Sequence, residues 1–79
     1  MSHDKLAYMA NQIGRFFASQ KPETAVAGIE DHILKFWDKR MRAAIVGQAA
    51  SGEAVLDPLV REAVERIGRR GQPGATAGG

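Results

Sequence analysis

The residues that most often carry chemistry are few in this chain, and their spacing does not suit catalysis or metal binding. His3 and His32 are the only imidazoles, and neither has a second histidine four residues away, the spacing with which a helix binds zinc. Glu30 and Asp31 precede His32, but adjacent side chains point to different sides of a helix. We therefore expect His32 to be a surface or boundary residue and predict no metal site.

Motifs for nucleophilic catalysis and cofactor binding are not found in the sequence. The serines and threonines lie outside any nucleophile-elbow pattern, and the glycines do not form a phosphate-binding loop. The chain has no Cys, which excludes disulfides, thiolate metal sites and iron–sulfur ligation by its own side chains. We predict that the chain is not an enzyme by itself and has no catalytic, cofactor-binding or metal-binding residues.

The segment 32–45 holds the most distinctive residues, because the only Trp, Trp37, stands there beside Phe36 and is followed by a dense set of charges. Apolar residues keep one helical face up to Trp37, and a new row begins only after the charges. Asp38 is a good N-cap, because its carboxylate can accept free N–H groups of the next turn. The pattern predicts a tight helix–helix corner at Asp38.

A domain this small cannot bury all of its aromatic side chains. We therefore expect some rings to be exposed and to form a partner surface. Phe16 and Phe17 are adjacent and point about 100° apart on a helix, as do Phe36 and Trp37. Trp, Phe and Arg are enriched at interface cores. The predicted partner-binding residues are Phe17, Phe36, Trp37, Arg40 and Arg42.

The rest of the chain predicts an all-α domain of about four short helices at residues 1–67, with a flexible Gly-rich tail at 68–79. The predicted helices run from near Ser2 to Phe17, from Pro22 to about Phe36 or Trp37, from just after Asp38 to near Ser51–Gly52, and from Asp57–Pro58 to about Ile67. We expect the third and fourth helices to pack less independently than the first two.

Helical spacing of large apolar residues predicts the buried faces of the first two helices. They are Leu6, Met9, Ile13 and Phe16 in the first helix, with Ala10 and Phe17 widening the stripe, and Val26, Ile29, Ile33 and Phe36 in the second. Gly14 lies inside the first helix, where it is either simply tolerated or required by close approach of a neighbouring backbone.

Charge and hydropathy favour a protein partner over nucleic acid or membrane. The net charge of +2 resides in residues 68–79, which contain Arg69 and Arg70 and no acid, so residues 1–67 are neutral. A neutral body does not favour nucleic-acid binding. No apolar run approaches the roughly 20 residues of a membrane span, and we expect a cytoplasmic protein. Two alternatives stay open: a helix-turn-helix-like nucleic-acid module that uses Arg40 and Arg42, and a self-associating helical protein.

Three segments of the chain resemble the delta subunit of soluble NAD-dependent formate dehydrogenases. They are DKLAYMANQIGRFF at 4–17, HILKFWDKRMRAAI at 32–45 and LDPLVREAVERI at 56–67. Pro commonly follows the FWD triplet in that family, whereas Lys39 stands here, at a first helical position where Pro is favoured but not required.

The resemblance implies a cofactor-free accessory subunit that binds and stabilises the catalytic alpha subunit, or assists its assembly or cofactor retention. In the complex so implied, larger subunits carry a molybdenum or tungsten bis-pterin site, iron–sulfur clusters, and FMN that passes electrons to NAD. Composition and periodicity by themselves do not indicate formate chemistry.

Overall fold

A computed structural model describes residues 2–70, with side chains from Lys5 onward, and folds them into four α-helices. These are α1 (Ser2–Phe17), α2 (Pro22–Phe36), α3 (Lys39–Ser51) and α4 (Pro58–Arg70). The predicted all-α class is confirmed, and the described part of the chain contains no strand. The side chain of His3 and the tail residues 71–79 lie outside the described residues.

The helix ends follow the local signals in the sequence. Asp38 Oδ1 accepts a hydrogen bond from the backbone N–H of Met41 at 2.8 Å, which confirms the N-cap of α3. Gly52 ends α3 with a left-handed φ of 84°, a conformation that glycine adopts without steric cost. Pro22 and Pro58 stand at the starts of α2 and α4, where the missing N–H costs nothing.

Helix α4 is the element that joins the fold together. It packs against each of the other three helices, most extensively against α2. Its buried face meets fully buried branched residues of α2 and α3, which fill the centre of the molecule. The largest fully buried side chains are Ile29, Ile33, Ile45, Val26, Val60 and Val64. Burial of this aliphatic surface is the main favourable term for folding.

Phe16 does not lie on the buried face of α1, contrary to the prediction. The buried stripe of that helix is centred on Ala7, Ala10 and Gly14, which are small. Phe17 follows Ala10 by seven residues and stays close to this stripe, whereas Phe16 points about 100° away from Phe17. The other large apolar residues of the predicted stripe pack against the core, so the prediction is wrong for Phe16 alone, which is 77% exposed.

Phe36 is also exposed, although the spacing of α2 predicted it in the buried row. Val26, Ile29 and Ile33 of that row are buried as expected. Phe36, however, is the last residue of α2, and the ring that enters the core at this helix end belongs to Trp37. The helix therefore ends with one aromatic ring inside the core and one outside it.

Two helix-interior glycines mark close contacts between helices. A Cβ at Gly14 would collide with Cγ2 of Val60 in α4, so this glycine is required by a close approach, here by a side chain rather than a backbone. A Cβ at Gly28 would lie 2.5 Å from Cε1 of Phe17, whose ring covers this part of α2. Both glycines let α1 pack more closely than alanine would permit.

Buried Glu30 explains why α4 continues beyond its predicted end near Ile67. The Glu30 carboxylate lies 2.9 Å from Nη2 of Arg70 and 3.8 Å from Nη1 of Arg66, while its own side chain is only 9% exposed. The ion pair between Arg70 and Glu30 connects the last turn of α4 to α2. Residues 68–70 are helical, three residues past the predicted end of the helix.

The loop between α3 and α4 is held by one amide of α1. Asn11 donates from Nδ2 to the carbonyl oxygen of Val55, and its Oδ1 accepts from the backbone N–H of Asp57, both at 3.0 Å. The two bonds fix the loop immediately before α4 begins. Asn11 therefore does structural work that its position beside the apolar stripe did not predict.

Candidate partner-binding surface

Two of the predicted partner-binding residues, Trp37 and Arg42, make their contacts within the chain. The Trp37 side chain belongs to the core, and the residue is 5% exposed. Arg42 Nη1 donates to the carbonyl oxygens of Trp37 at 2.8 Å and Leu34 at 3.4 Å. Because the last carbonyls of a helix lack intrahelical partners, Arg42 satisfies groups that the end of α2 leaves open. The two residues thus help to form the helix–helix corner at Asp38.

Arg40 is placed differently, on the outside of the corner. Its side chain is exposed on the first turn of α3, where Asp38, Lys39 and Ala43 border the same shallow depression. Its guanidinium is therefore accessible to another molecule.

Four rings form a surface along the junction of α1 and α2, which we call the aromatic strip: Phe16, Phe17, His32 and Phe36. The Phe16 and Phe17 rings meet edge to face, with centroids 5.1 Å apart and planes at 87°. The Phe17 ring covers Gly28, and the His32 ring lies 4.7 Å from that of Phe36.

The helical spacing of α2 connects these two ring pairs. Gly28, His32 and Phe36 follow one another at i and i+4, so they lie along one side of the helix. The Phe17 ring, seated on Gly28, therefore occupies the start of the row that His32 and Phe36 continue.

The outer rings of the strip are the most exposed. Phe16 is 77% and Phe36 71% exposed, while Phe17 and His32 are half-buried. The expectation that some rings stay exposed is confirmed. Two further apolar side chains, Tyr8 at 64% and Val55 at 82%, are exposed outside the strip.

The side chains of the strip are rings, which are suited to packing against another surface. The ionisable group of the strip, His32, lies at the boundary between interior and solvent, as the sequence predicted. Beside it, Asp31 and Lys35 form a surface ion pair at 3.3 Å. Within residues 2–70, no cluster of three or more His, Asp or Glu side chains is arranged to hold a metal ion.

Phe16 and His32 were not predicted as members of the partner surface. The sequence does show that Phe16 is adjacent to Phe17 and that His32 and Phe36 are at i and i+4. What the sequence hides is that Gly28 lies under Phe17, because this contact joins residues of two helices.

A family model described as the NADH-dependent formate dehydrogenase delta subunit, FdsD, matches residues 5–64. The chain belongs to this family. The match begins in α1 and ends in α4, so the matched range covers the positions of the four rings of the strip and of Asp38. Comparisons with curated proteins and with solved structures give no significant match.

The described helices of this FdsD-family chain are 13 to 16 residues long. None of them combines the length and the hydropathy that a membrane-spanning helix needs.

Proposed function

We propose that the chain is a non-catalytic accessory subunit that binds the catalytic alpha subunit of an NAD-dependent formate dehydrogenase and stabilises it. Membership of the delta-subunit family supports a place in such a complex. The observation that carries the docking step is the exposure of Phe16 and Phe36 at the two ends of the aromatic strip. A free chain gains nothing from displaying these rings, whereas a partner that covers them gains affinity.

The size of this gain is sufficient for specific docking. Burying a large apolar side chain contributes about 1.5–3 kcal/mol, and a change of 1.4 kcal/mol is tenfold in affinity. Phe16 and Phe36 together can therefore account for a large part of the binding free energy. Phe17 and His32 lie between them at the strip and would be covered by the same partner surface.

The proposal divides the five predicted partner-binding residues into two groups. Phe17, Phe36 and Arg40 are assigned direct contact with the alpha subunit, because their side chains are accessible. Trp37 and Arg42 are assigned the support of the corner that presents them, because both are engaged within the chain.

The redox cofactors are placed on other subunits. A molybdenum or tungsten bis-pterin, iron–sulfur clusters and FMN would reside in the larger subunits, and this chain would carry none. Its lack of Cys supports this assignment for iron–sulfur clusters, which are held by thiolates. The chain would work in the cytoplasm with the complex that it supports.

The nucleic-acid alternative is weaker on a specific ground, and the self-associating alternative has a direct test. A nucleic-acid module at the corner would use Arg42, but its guanidinium is bound to backbone carbonyls. A homodimer would also cover the aromatic strip. Light scattering of the purified chain tests for the homodimer, since self-association gives twice the mass of one chain.

The proposed docking is tested by replacing both exposed rings, Phe16→Ser with Phe36→Ser, and measuring co-purification of the alpha subunit with the tagged full-length chain. We expect at least about a tenfold loss of co-purified alpha subunit, because each ring contributes one or more factors of ten when buried. The far-UV circular dichroism of the isolated variant should match that of the unaltered chain.

The matched control is Val55→Ser, which removes an exposed apolar side chain of the α3–α4 loop, outside the strip. This variant should retain the alpha subunit. Full retention by the Phe16→Ser, Phe36→Ser variant would exclude the aromatic strip as the docking surface.

A further inference from the structure

A groove between α3 and α4 forms a second surface, separate from the aromatic strip. Two adjoining depressions of about 380 and 250 Å³ make up the groove, and Val46 and Gly68 line both of them. No residue of the aromatic strip lines either depression.

The floor of the groove is apolar and open because its residues are small. Gly68 lies so close to Val46 that a Cβ there would be 2.9 Å from Cγ1 of Val46, which brings the two helices together. Gly47, in contrast, has no neighbouring atom within 4 Å of its Cβ position. Ala43 and Ala50 continue the exposed side of α3 on either side of Gly47. Small residues of this kind allow the backbone of a second helix to approach closely.

The rim of the groove is basic. Lys39 and Arg42 stand at one end and Arg69 at the other, while Glu65 is the acidic residue of the lining. Arg42 is engaged with the end of α2, but Lys39 and Arg69 are exposed. The charge that complements this rim is negative.

We propose that the groove binds an acidic amphipathic helix of another polypeptide. Its apolar side chains would enter over Gly47, and carboxylates on its flanks would face Lys39 and Arg69. This is the helix-in-groove mode of recognition, in which apolar anchors give affinity and flanking charges give orientation. The proposal does not depend on which partner covers the aromatic strip.

Other occupants fit the groove less well. Residues 71–79 of the chain contain no acid and no large apolar side chain. A second copy docked symmetrically would oppose one basic rim with another. Nucleic acid would match the charge of the rim but not the apolar floor of Val46, Gly47 and Ile67.

The experiment uses the absence of Cys, which makes any introduced thiol a unique label site. Ala50→Cys, at the groove, carries a benzophenone in the full chain, which is irradiated in an extract of its source cells and analysed by mass spectrometry. We expect a cross-linked peptide with net negative charge and with apolar residues at i, i+3 and i+4.

Two variants in the Ala50→Cys chain test the charge and the floor separately. Lys39→Glu with Arg69→Glu should lower the yield of this cross-link about tenfold or more, because like charges oppose each other across an interface. Gly47→Leu should lower it similarly by filling the floor, in a position that is open in the free chain. Lys5→Glu with Lys21→Glu reverses two exposed charges away from the groove and should leave the yield unchanged.

The proposal is overturned if the label at position 50 cross-links to nucleic acid, to a second copy of the chain, or to a neutral or basic peptide. It is equally overturned if the yield is the same in the Lys39→Glu, Arg69→Glu variant, or if Ala27→Cys, an exposed site on α2, captures the same peptide.

Discussion

The guanidinium of Arg42 is hydrogen-bonded to the backbone carbonyl of Trp37, with 2.8 Å between Nη1 and the carbonyl oxygen. This bond links the first turns of α3 to the end of α2 directly across the corner at Asp38. Together with the Asp38 cap on Met41, it satisfies backbone groups on both sides of the turn. The corner is thus fixed by its own residues before any partner binds.

Replacement of Arg42 is expected to destabilise the free chain. Arg42→Ala removes the hydrogen bonds to Trp37 and Leu34 and should lower the free energy of unfolding by about 1.5–3 kcal/mol, the range for bonds to charged groups. Arg40→Ala, two residues earlier on the exposed side, should change it by less than about 0.5 kcal/mol. Urea unfolding followed by circular dichroism measures both values, and equal stability of the two variants would refute the capping role.

The adjacent rings at the end of α2 are expected to separate stability from partner binding. Trp37→Ala removes a core ring and should lower the free energy of unfolding by about 3–5 kcal/mol, a large part of what a small domain has. Phe36→Ala removes an exposed ring and should change it by less than about 0.5 kcal/mol. Thermal unfolding of the isolated variants gives the comparison.

The opposite ranking of these two variants would place Phe36 in the core and Trp37 at the surface. The co-purification assay completes the test, because Phe36→Ala should lose alpha subunit although the isolated chain remains folded.

All the helix boundaries except the end of α4 could be predicted from the sequence because they depend on local chemistry. Pro22 and Pro58 start helices, Asp38 caps the next turn and Gly52 adopts a left-handed conformation. Each of these effects acts within a few residues of the chain and needs no knowledge of the other helices.

The exposed rings could be predicted in general but not individually. Phe16 was assigned to the core because large apolar residues dominate a periodicity count, whereas α1 packs through Ala10 and Gly14. The contacts that decide the outcome, Val60 on Gly14 and Phe17 on Gly28, join different helices. The same applies to Glu30 and Arg70, whose pairing requires α2 and α4 to be adjacent.

Two truncations test how far the folded unit extends. A chain that ends at residue 67 loses Arg70, the nearest ion-pair partner of buried Glu30, and should have a free energy of unfolding about 1–3 kcal/mol lower. A chain that ends at residue 70 retains this pair and should differ from the full chain by less than about 0.5 kcal/mol.

Urea unfolding of the three chains distinguishes these outcomes. If the chain ending at residue 67 is as stable as the full chain, the pairing of Arg70 with Glu30 contributes nothing measurable. If the chain ending at residue 70 is much less stable, residues 71–79 do not form the predicted flexible tail.

Substitution of glycine by alanine should have opposite effects on stability at Gly47 and at Gly14. Alanine is favoured over glycine in a helix interior by about 1 kcal/mol, and Gly47 has open space at its Cβ position, so Gly47→Ala should stabilise the chain by about that amount. Gly14→Ala has the same intrinsic gain, but its Cβ would collide with the fully buried Val60. Because a branched core residue has little freedom to move, we expect overpacking to lower the free energy of unfolding by about 1–3 kcal/mol.

The Gly14→Ala, Val60→Ala double variant should recover part of the overpacking loss, since it removes the colliding methyl groups. Urea unfolding of the three variants measures these differences, and stabilisation by Gly14→Ala would show that α1 and α4 do not approach as closely as the contact at Gly14 requires.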